Sequence, residues 1–445
     1  MLHRLLFTGL LFWWTVFTLG AASPEKGSPA GFITCREGHF YDTSTADAGT
    51  PYYFVGTNMW YAPYLGIKGK VGDRTRLKRE LDRLSSLGIT NLRILVGAEA
   101  GSDSVTSVRP YLQPSLGVLN DTVLDGLDYL LHEMERRGMK SVIYLCNSWD
   151  WSGGYGFYLK QAGHGDSPYA GGKGYSRYTH YAAAFATDTI AQQYYYDFLR
   201  RILTHTNRYT RRPYSASPAI MAWQVCNEPR PFDAQAKRGF LTWITRSARL
   251  IKSLAPNHLV SVGSEGYYGC EGDISLYEQI HRLPEVDYLT IHLWPLNWGW
   301  CSRGALYTAL PHVYLKAAEY IDAHLRLAER LGKPLVIEEF GYPRERNHYA
   351  AGTSTLSRDA FYNYLLDRFR QSRQHEGLLA GINFWGWGGE ARPLADKWTP
   401  GMPYLTDPPH EPQGWYSVYD SDTTTIHLIE KYIHGDASTD TPSEF

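Results

Sequence analysis

Eight short apolar runs recur along this chain, with amphipathic segments between most of them, and that alternation restricts the fold more than any other feature. The runs are Tyr52–Thr57, Thr90–Val96, Ser141–Cys146, Ala219–Cys226, Leu259–Gly263, Tyr288–Leu293, Leu335–Glu339 and Gly381–Trp385. Each is apolar nearly throughout, as parallel strands buried on both faces are. Helical patterns occupy Thr75–Leu87, Leu124–Arg137, Thr189–Asn207, Ala234–Leu254, Val313–Leu331, Arg358–His375 and Thr425–Ile433. Two of them stop at a glycine, Gly88 and Gly138, a helix-ending signal. Eight such units predict an α/β fold, a (β/α)8 TIM barrel, as one catalytic domain over 31–435. An open doubly wound sheet would call for a glycine-rich phosphate turn after the first strand, and Gly56-Thr57-Asn58-Met59-Trp60 is not one. The segment Trp149–Ala186, rich in Gly and Tyr, reads as an ordered functional loop after strand three.

In a barrel, chemistry gathers at the C-terminal strand ends. Two runs end there in a carboxylate: Trp223-Gln224-Val225-Cys226-Asn227-Glu228-Pro229-Arg230 and Leu335-Val336-Ile337-Glu338-Glu339-Phe340-Gly341. A glutamate at each of two strand ends is what retaining glycoside hydrolysis uses, one to protonate the leaving oxygen and one to attack the anomeric carbon. The same rim would collect Asn58 and Trp60, Arg93, Asn147 and Trp149, Glu265, His292 and Trp294, and Trp385 and Trp387. Plainer readings stand beside these. Glu228 could be a helix-start carboxylate ahead of Pro229, Arg93 a structural ion-pair partner, and His292 a core histidine. Trp60, Trp298, Trp300 and Trp387 could be packing residues rather than sugar platforms. His427 and His434 read as surface groups, and no HExxH-like spacing occurs, so no metal or organic cofactor is expected.

Acids and bases nearly cancel, 45 Asp and Glu against 44 Lys and Arg. No basic face for nucleic acid is implied. The 34 Tyr, 14 Trp and 16 Phe are many for one chain, and several lie in loop-like contexts such as Asn297-Trp298-Gly299-Trp300. Exposed ring faces suit sugar rings. Residues 1–22 read as a cleaved export signal, with His3 and Arg4 before an apolar run and Gly20-Ala21-Ala22 after it. Residues 23–30 follow as a linker and 436–445 as a flexible tail. Secretion, no stable membrane association and a monomer are the expectations. Of the five cysteines, Cys146 and Cys226 read as core thiols; Cys270 and Cys301 lie in loop-like contexts, where export would permit a bridge.

The chain resembles glycoside hydrolase family 5, and within it the endo-β-1,4-mannanases. The resemblance rests on Gly56-Thr57-Asn58-Met59-Trp60-Tyr61, Leu92-Arg93-Ile94, Asn227-Glu228-Pro229-Arg230, His292-Leu293-Trp294-Pro295, Glu339-Phe340-Gly341 and Phe384-Trp385-Gly386-Trp387. It implies Glu228 as acid/base and Glu339 as nucleophile. Glu338 competes for the second role, but strand neighbours point to opposite faces, so it is assigned to structure, paired with a base behind the site. By the same resemblance Asn227 holds the sugar 2-hydroxyl, Arg93 keeps the nucleophile ionised, and His292 is an active-site histidine. Trp385 is the platform under the sugar and Arg230 contacts the leaving-group side, while Trp60 and Trp294 join the substrate contacts. Many relatives carry Tyr where this chain has Trp294. The Glu228 pKa should be raised by the neighbouring carboxylate, to about 6.

The implied function is secreted, endo-acting, retaining hydrolysis of β-1,4-mannosidic bonds in mannan, glucomannan or galactomannan. An endo-β-1,4-glucanase or exo-β-mannosidase with the same mechanism is the near alternative. A non-catalytic glycan-binding barrel is the alternative of another class.

Overall fold

The computed structural model describes residues 31–44, 49–102, 107–168 and 174–434. The expected signal, linker and tail lie outside these residues. A small antiparallel sheet comes first: β1 (Ile33–Arg36), β2 (His39–Asp42) and β3 (Thr50–Pro51). The barrel follows as β4 (Phe54–Asn58), β5 (Asn91–Leu95), β6 (Lys140–Tyr144), β7 (Ile220–Gln224), β8 (Leu259–Ser261), β9 (Leu289–Leu293), β10 (Leu335–Phe340) and β11 (Leu379–Phe384). A last pair, β12 (Trp387–Gly389) and β13 (Val418–Tyr419), lies beyond it.

All ladder pairings in the barrel are parallel, in the order β8-β7-β6-β5-β4-β11-β10-β9. The β8–β9 seam has no ladder but is bridged by two backbone bonds, Asp287 N–H to Val260 O (2.8 Å) and His292 N–H to Glu265 O (3.1 Å). The result is a nearly closed (β/α)8 barrel. Every barrel strand is buried at every position, which is why its sequence lacks polar alternation.

The helices start and stop where side chains can satisfy their free backbone groups. Asp73, Asn120, Asp188 and Asp273 each accept a backbone N–H at a helix start, the usual N-cap role. Gly88 and Gly138 follow two helices with φ of 80° and 65°, as left-handed termination requires. Sequence patterning missed helix Ile274–His281, between β8 and β9, whose eight residues are short for a periodicity argument. It also missed the N-terminal hairpin. There Ile33 and Phe40 pack on Phe54, Val142, Met221, Leu259, Tyr288 and Val336 at the strand starts.

The segment 149–186 is largely helical where described, with helices Gly154–Leu159 and Tyr175–Ala182. All five cysteines are free. The bridge considered for Cys270 and Cys301 is therefore absent: Cys270 is buried beside Asp273 and Lys237, whereas Cys301 faces Tyr342.

Candidate active site

β7 ends at Gln224, and the fourth residue after it is the first carboxylate, Glu228. Asn227 N–H donates to Cys146 O (2.8 Å) and Glu228 N–H to Gly263 O (2.9 Å), so neighbouring strand ends hold the turn. Glu228 itself has φ of 46°, a left-handed conformation that costs a non-glycine residue energy and persists only where surroundings enforce it. Its Oε1 lies 2.8 Å from His292 Nδ1, and its Oε2 accepts the Trp149 indole N–H at 2.6 Å.

The second carboxylate sits on a bulge. Ile337 pairs with Ile291 and Glu339 with His292, so Glu338 is an extra residue in β10. A bulge re-aims side chains that strict alternation would separate. Glu338 and Glu339 therefore both reach Arg93: Glu339 Oε1 accepts from Nη1, and Glu338 Oε2 lies 3.8 Å from Nε. Glu339 lines the cavity and Glu338 does not. The base assigned to Glu338 from the sequence is thus not behind the site; it is the nucleophile's own arginine.

Arg93 is fully buried, and its other donors are spent on Gln224 Oε1 (2.8 Å), Asn58 Oδ1 (3.2 Å) and Asn227 Oδ1 (2.8 Å). Such a charge is tolerable in a barrel core only with this degree of pairing. His292 is also fully buried, and burial followed by the nearby Arg93 lowers its pKa well below the usual imidazole value. It is neutral, and we assign its proton to Nδ1, which has acceptors in both Glu228 Oε1 and Glu339 Oε2 (3.2 Å), while Nε2 has no partner among the described residues.

Burial raises both carboxyl pKa values; Glu228, Glu338 and Glu265 raise Glu339 further, against the opposing Arg93. For Glu228 the larger cause is burial, not the neighbouring carboxylate that the sequence suggested. Two such groups titrate as a pair. Arg93 bonds Glu339 directly and opposes the rise of its pKa. One ligand atom from each of Glu228, His292 and Glu339 lies within 4.8 Å of the others. Arg93 already supplies a positive charge to Glu339.

The pair opens into a cavity of about 410 Å³. Trp385, Trp294 and Tyr416 form one wall, with Trp294 edge-on to Trp385 at 5.9 Å and to Tyr416 at 4.9 Å. Arg230 also lines it, its guanidinium held by both oxygens of Glu265 (2.6 and 2.9 Å) and 5.8 Å from the Trp149 ring centroid.

Of the residues expected at the site, Asn227, Glu228, Arg230, Trp294, Glu339 and Trp385 line the cavity, and Arg93 and His292 sit beneath it. Trp60 is displaced from that role. It is 1% exposed, packs on Tyr61, Tyr64, Trp151 and Tyr404, and donates to Thr406 O. Trp387 is likewise buried and donates to Glu80 Oε2 at 2.7 Å, while Trp300 does not line the cavity and Trp298 does. Sequence reasoning did not foresee the contacts of Trp151, Tyr175 and Asn297, nor of Pro408, His410, Glu411 and Tyr416. The last four come from the segment between β12 and β13, whose length without regular structure was the available signal.

A family model described as GH family 5 beta-mannosidase-like matches residues 30–438. The chain belongs to glycoside hydrolase family 5. It is a glycoside hydrolase. Among curated proteins it is similar to mannan endo-1,4-beta-mannosidase 7 of Arabidopsis thaliana, 27% identical over 76% of this chain and 74% of that protein. It is equally similar to mannan endo-1,4-beta-mannosidase 1 of Oryza sativa subsp. japonica, 27% identical over 76% and 75%. Among solved structures it resembles a family 5 mannosidase from Rhizomucor miehei, 32% identical, TM-score 0.82, covering 91% of this chain and 97% of that one; a variant of that enzyme was solved with mannosyl-fructose.

Proposed function

We propose that this enzyme hydrolyses β-1,4-mannosidic bonds in mannan-type glycans with retention of configuration. The observation that carries the mechanism is that one histidine nitrogen touches both carboxylates, with the oxygen atoms within 4.8 Å of each other. Retaining enzymes hold their carboxyls about 5–5.5 Å apart, whereas inverting ones leave about 6.5–9.5 Å for a water. Glu339, ionised by Arg93, attacks the anomeric carbon; Glu228 protonates the departing oxygen, then as a base activates the water that releases the covalent sugar. Mannose as the glycone is supported by the family description and by the names of the relatives.

Endo cleavage is the reading that the curated relatives' names support. A second reading, removal of single mannose units from chain ends, is favoured by one observation: Pro408, His410 and Glu411 line the same cavity as Trp385. With Trp385 as the platform beside the scissile bond, residues of the long segment between β12 and β13 narrow the cavity that a continuing chain would need. Export rests on residues 1–22 alone; among the described residues no helix is long and apolar enough to cross a membrane.

The test is hydrolysis of mannohexaose and cellohexaose with products resolved by length and by anomer. β-Mannose released first supports retention and terminal attack; internal fragments of mixed length support endo attack. Turnover of cellohexaose alone moves the substrate to glucan, and α-anomeric products rule out retention. Binding of mannohexaose with no turnover supports the glycan-binding alternative.

A further inference from the structure

Glu338 is a buried carboxyl that the double displacement does not use. It is 1% exposed, and the bulge in β10 turns it towards the barrel interior. Its Oε1 accepts from Gln224 Nε2, which also donates to Ser261 Oγ at 2.9 Å. Both amide hydrogens being committed, Gln224 must present its oxygen to Arg93 Nε, as it does at 2.8 Å. A flipped amide would set N–H against N–H. The chain Glu338, Gln224, Arg93, Glu339 thus fixes the guanidinium whose Nη1 serves the nucleophile.

We propose that Glu338 is a positioning residue for the nucleophile, orienting Gln224 and through it Arg93, and that it does so only while it carries its own proton. This rests on the hydrolase reading above. Glu338 Oε2 has no close hydrogen-bond partner among the described residues; its neighbours are the Tyr288 hydroxyl and, at 3.8 Å, Arg93 Nε. One buried guanidinium facing two buried carboxyls balances only one negative charge, and Glu339 has the direct bond to it.

The titratable and charged groups facing Glu338 are Arg93 from β5, Glu339 beside it, Tyr288 at the start of β9, and Tyr277 from helix Ile274–His281. Arg93 is the only cation among them. Burial raises the Glu338 pKa to about 7 against the opposing Arg93. Once ionised, Glu338 competes with Glu339 for one guanidinium and leaves a buried excess negative charge, which is costly.

The test compares wild type, Glu338→Gln and Glu338→Leu on 4-nitrophenyl β-mannoside and mannotriose across pH 4–9. Glu338→Gln keeps an acceptor for Gln224 and cannot ionise. Its kcat should fall by less than about tenfold, while Glu338→Leu loses about 100-fold in kcat with KM little changed, as misplacing a catalytic group does. The alkaline limb of kcat/KM should fall with two protons in wild type and one in Glu338→Gln, and lie at higher pH in the variant.

A second readout needs no turnover. Folded Glu338 keeps its proton to about pH 7, whereas the unfolded chain loses it near 4.3. Glu338 therefore adds a loss of stability across that window that Glu338→Gln lacks, so the variant's Tm should gain on wild type from pH 5 to 7. Superimposable pH profiles, a fully active Glu338→Leu, or a Tm difference that stays constant from pH 5 to 7 would each overturn the inference. A wild type inactive on both substrates counts against the hydrolase reading instead, and the Tm series still decides this one.

Discussion

The Trp149 indole N–H donates to Glu228 Oε2 at 2.6 Å, so the proposed general acid is oriented by a residue from the loop after β6. Trp149 is itself held by stacking on Tyr178 and edge contact with Phe232. An N–H donated to a carboxylate favours the ionised form, and Trp149 is among the groups that lower the Glu228 pKa against its burial. Trp149→Phe should therefore raise that pKa and move the alkaline limb of kcat/KM to higher pH, with kcat reduced by about tenfold. A pH–rate series on mannotriose checks the direction; an unmoved limb would mean that the indole does not tune the acid.

The two carboxylates should fail differently. A 4-nitrophenolate leaves without protonation, so Glu228→Ala should still form the glycosyl-enzyme from an aryl mannoside and stall in its hydrolysis. A burst of phenolate followed by a steady rate about 10²–10⁴-fold below wild type is the expected trace. Glu339→Ala should give neither burst nor turnover.

Outside the cavity lining, Asp422 binds two buried arginines, with Arg344 Nη1 at 2.9 Å and Arg358 Nη2 at 2.7 Å. They tie the start of the last helix, Thr423–His434, to the segment after β10. Asp422→Ala leaves both guanidinium groups without their carboxylate and should cost about 3–5 kcal/mol. Urea unfolding reads this as a lower midpoint at unchanged m-value.

Stability should be nearly flat between about pH 4.5 and 6.5 and fall on both sides. His258, His281 and His324 are buried, and burial lowers their pKa values to about 4, 3 and 4. The unfolded chain protonates first, so each loses stability as pH falls from about 6.5 towards its folded value. Glu99, Glu338 and Glu411 are raised, chiefly by burial, to about 7, 7 and 8. Each loses stability as pH rises from about 4.3 towards its folded value. Within the shared window the slopes oppose one another; outside it one set acts alone. Tm across pH 3–9 checks the shape, and a single monotonic slope would refute it.

The barrel was legible because burial on both faces leaves an unmistakable pattern, and all eight runs became strands. The two cavity glutamates were legible because strand ends place side chains at the mouth. What escaped depends on side chains meeting across long sequence distances. Nothing in Trp60 or Trp387 distinguishes a buried tryptophan from an exposed one; their neighbours Tyr404 and Glu80 do, and these lie hundreds of residues away. The bulge at Glu338 escaped for another reason: alternation assumes a regular pleat, and one inserted residue overrides it.

The N-terminal hairpin gives the barrel a direction of traffic. Ile33 and Phe40 close the strand-start end with hydrocarbon, Phe40 lying edge-on to Tyr288 at 5.3 Å. The molecule is in effect a flask with its stopper at the base. Solvent that reaches Arg93, Gln224 and Glu338 must come through the mouth, past Glu339. A bound sugar filling that mouth corks the flask at its other end, and the proton inventory beneath it is then fixed for the length of the turnover.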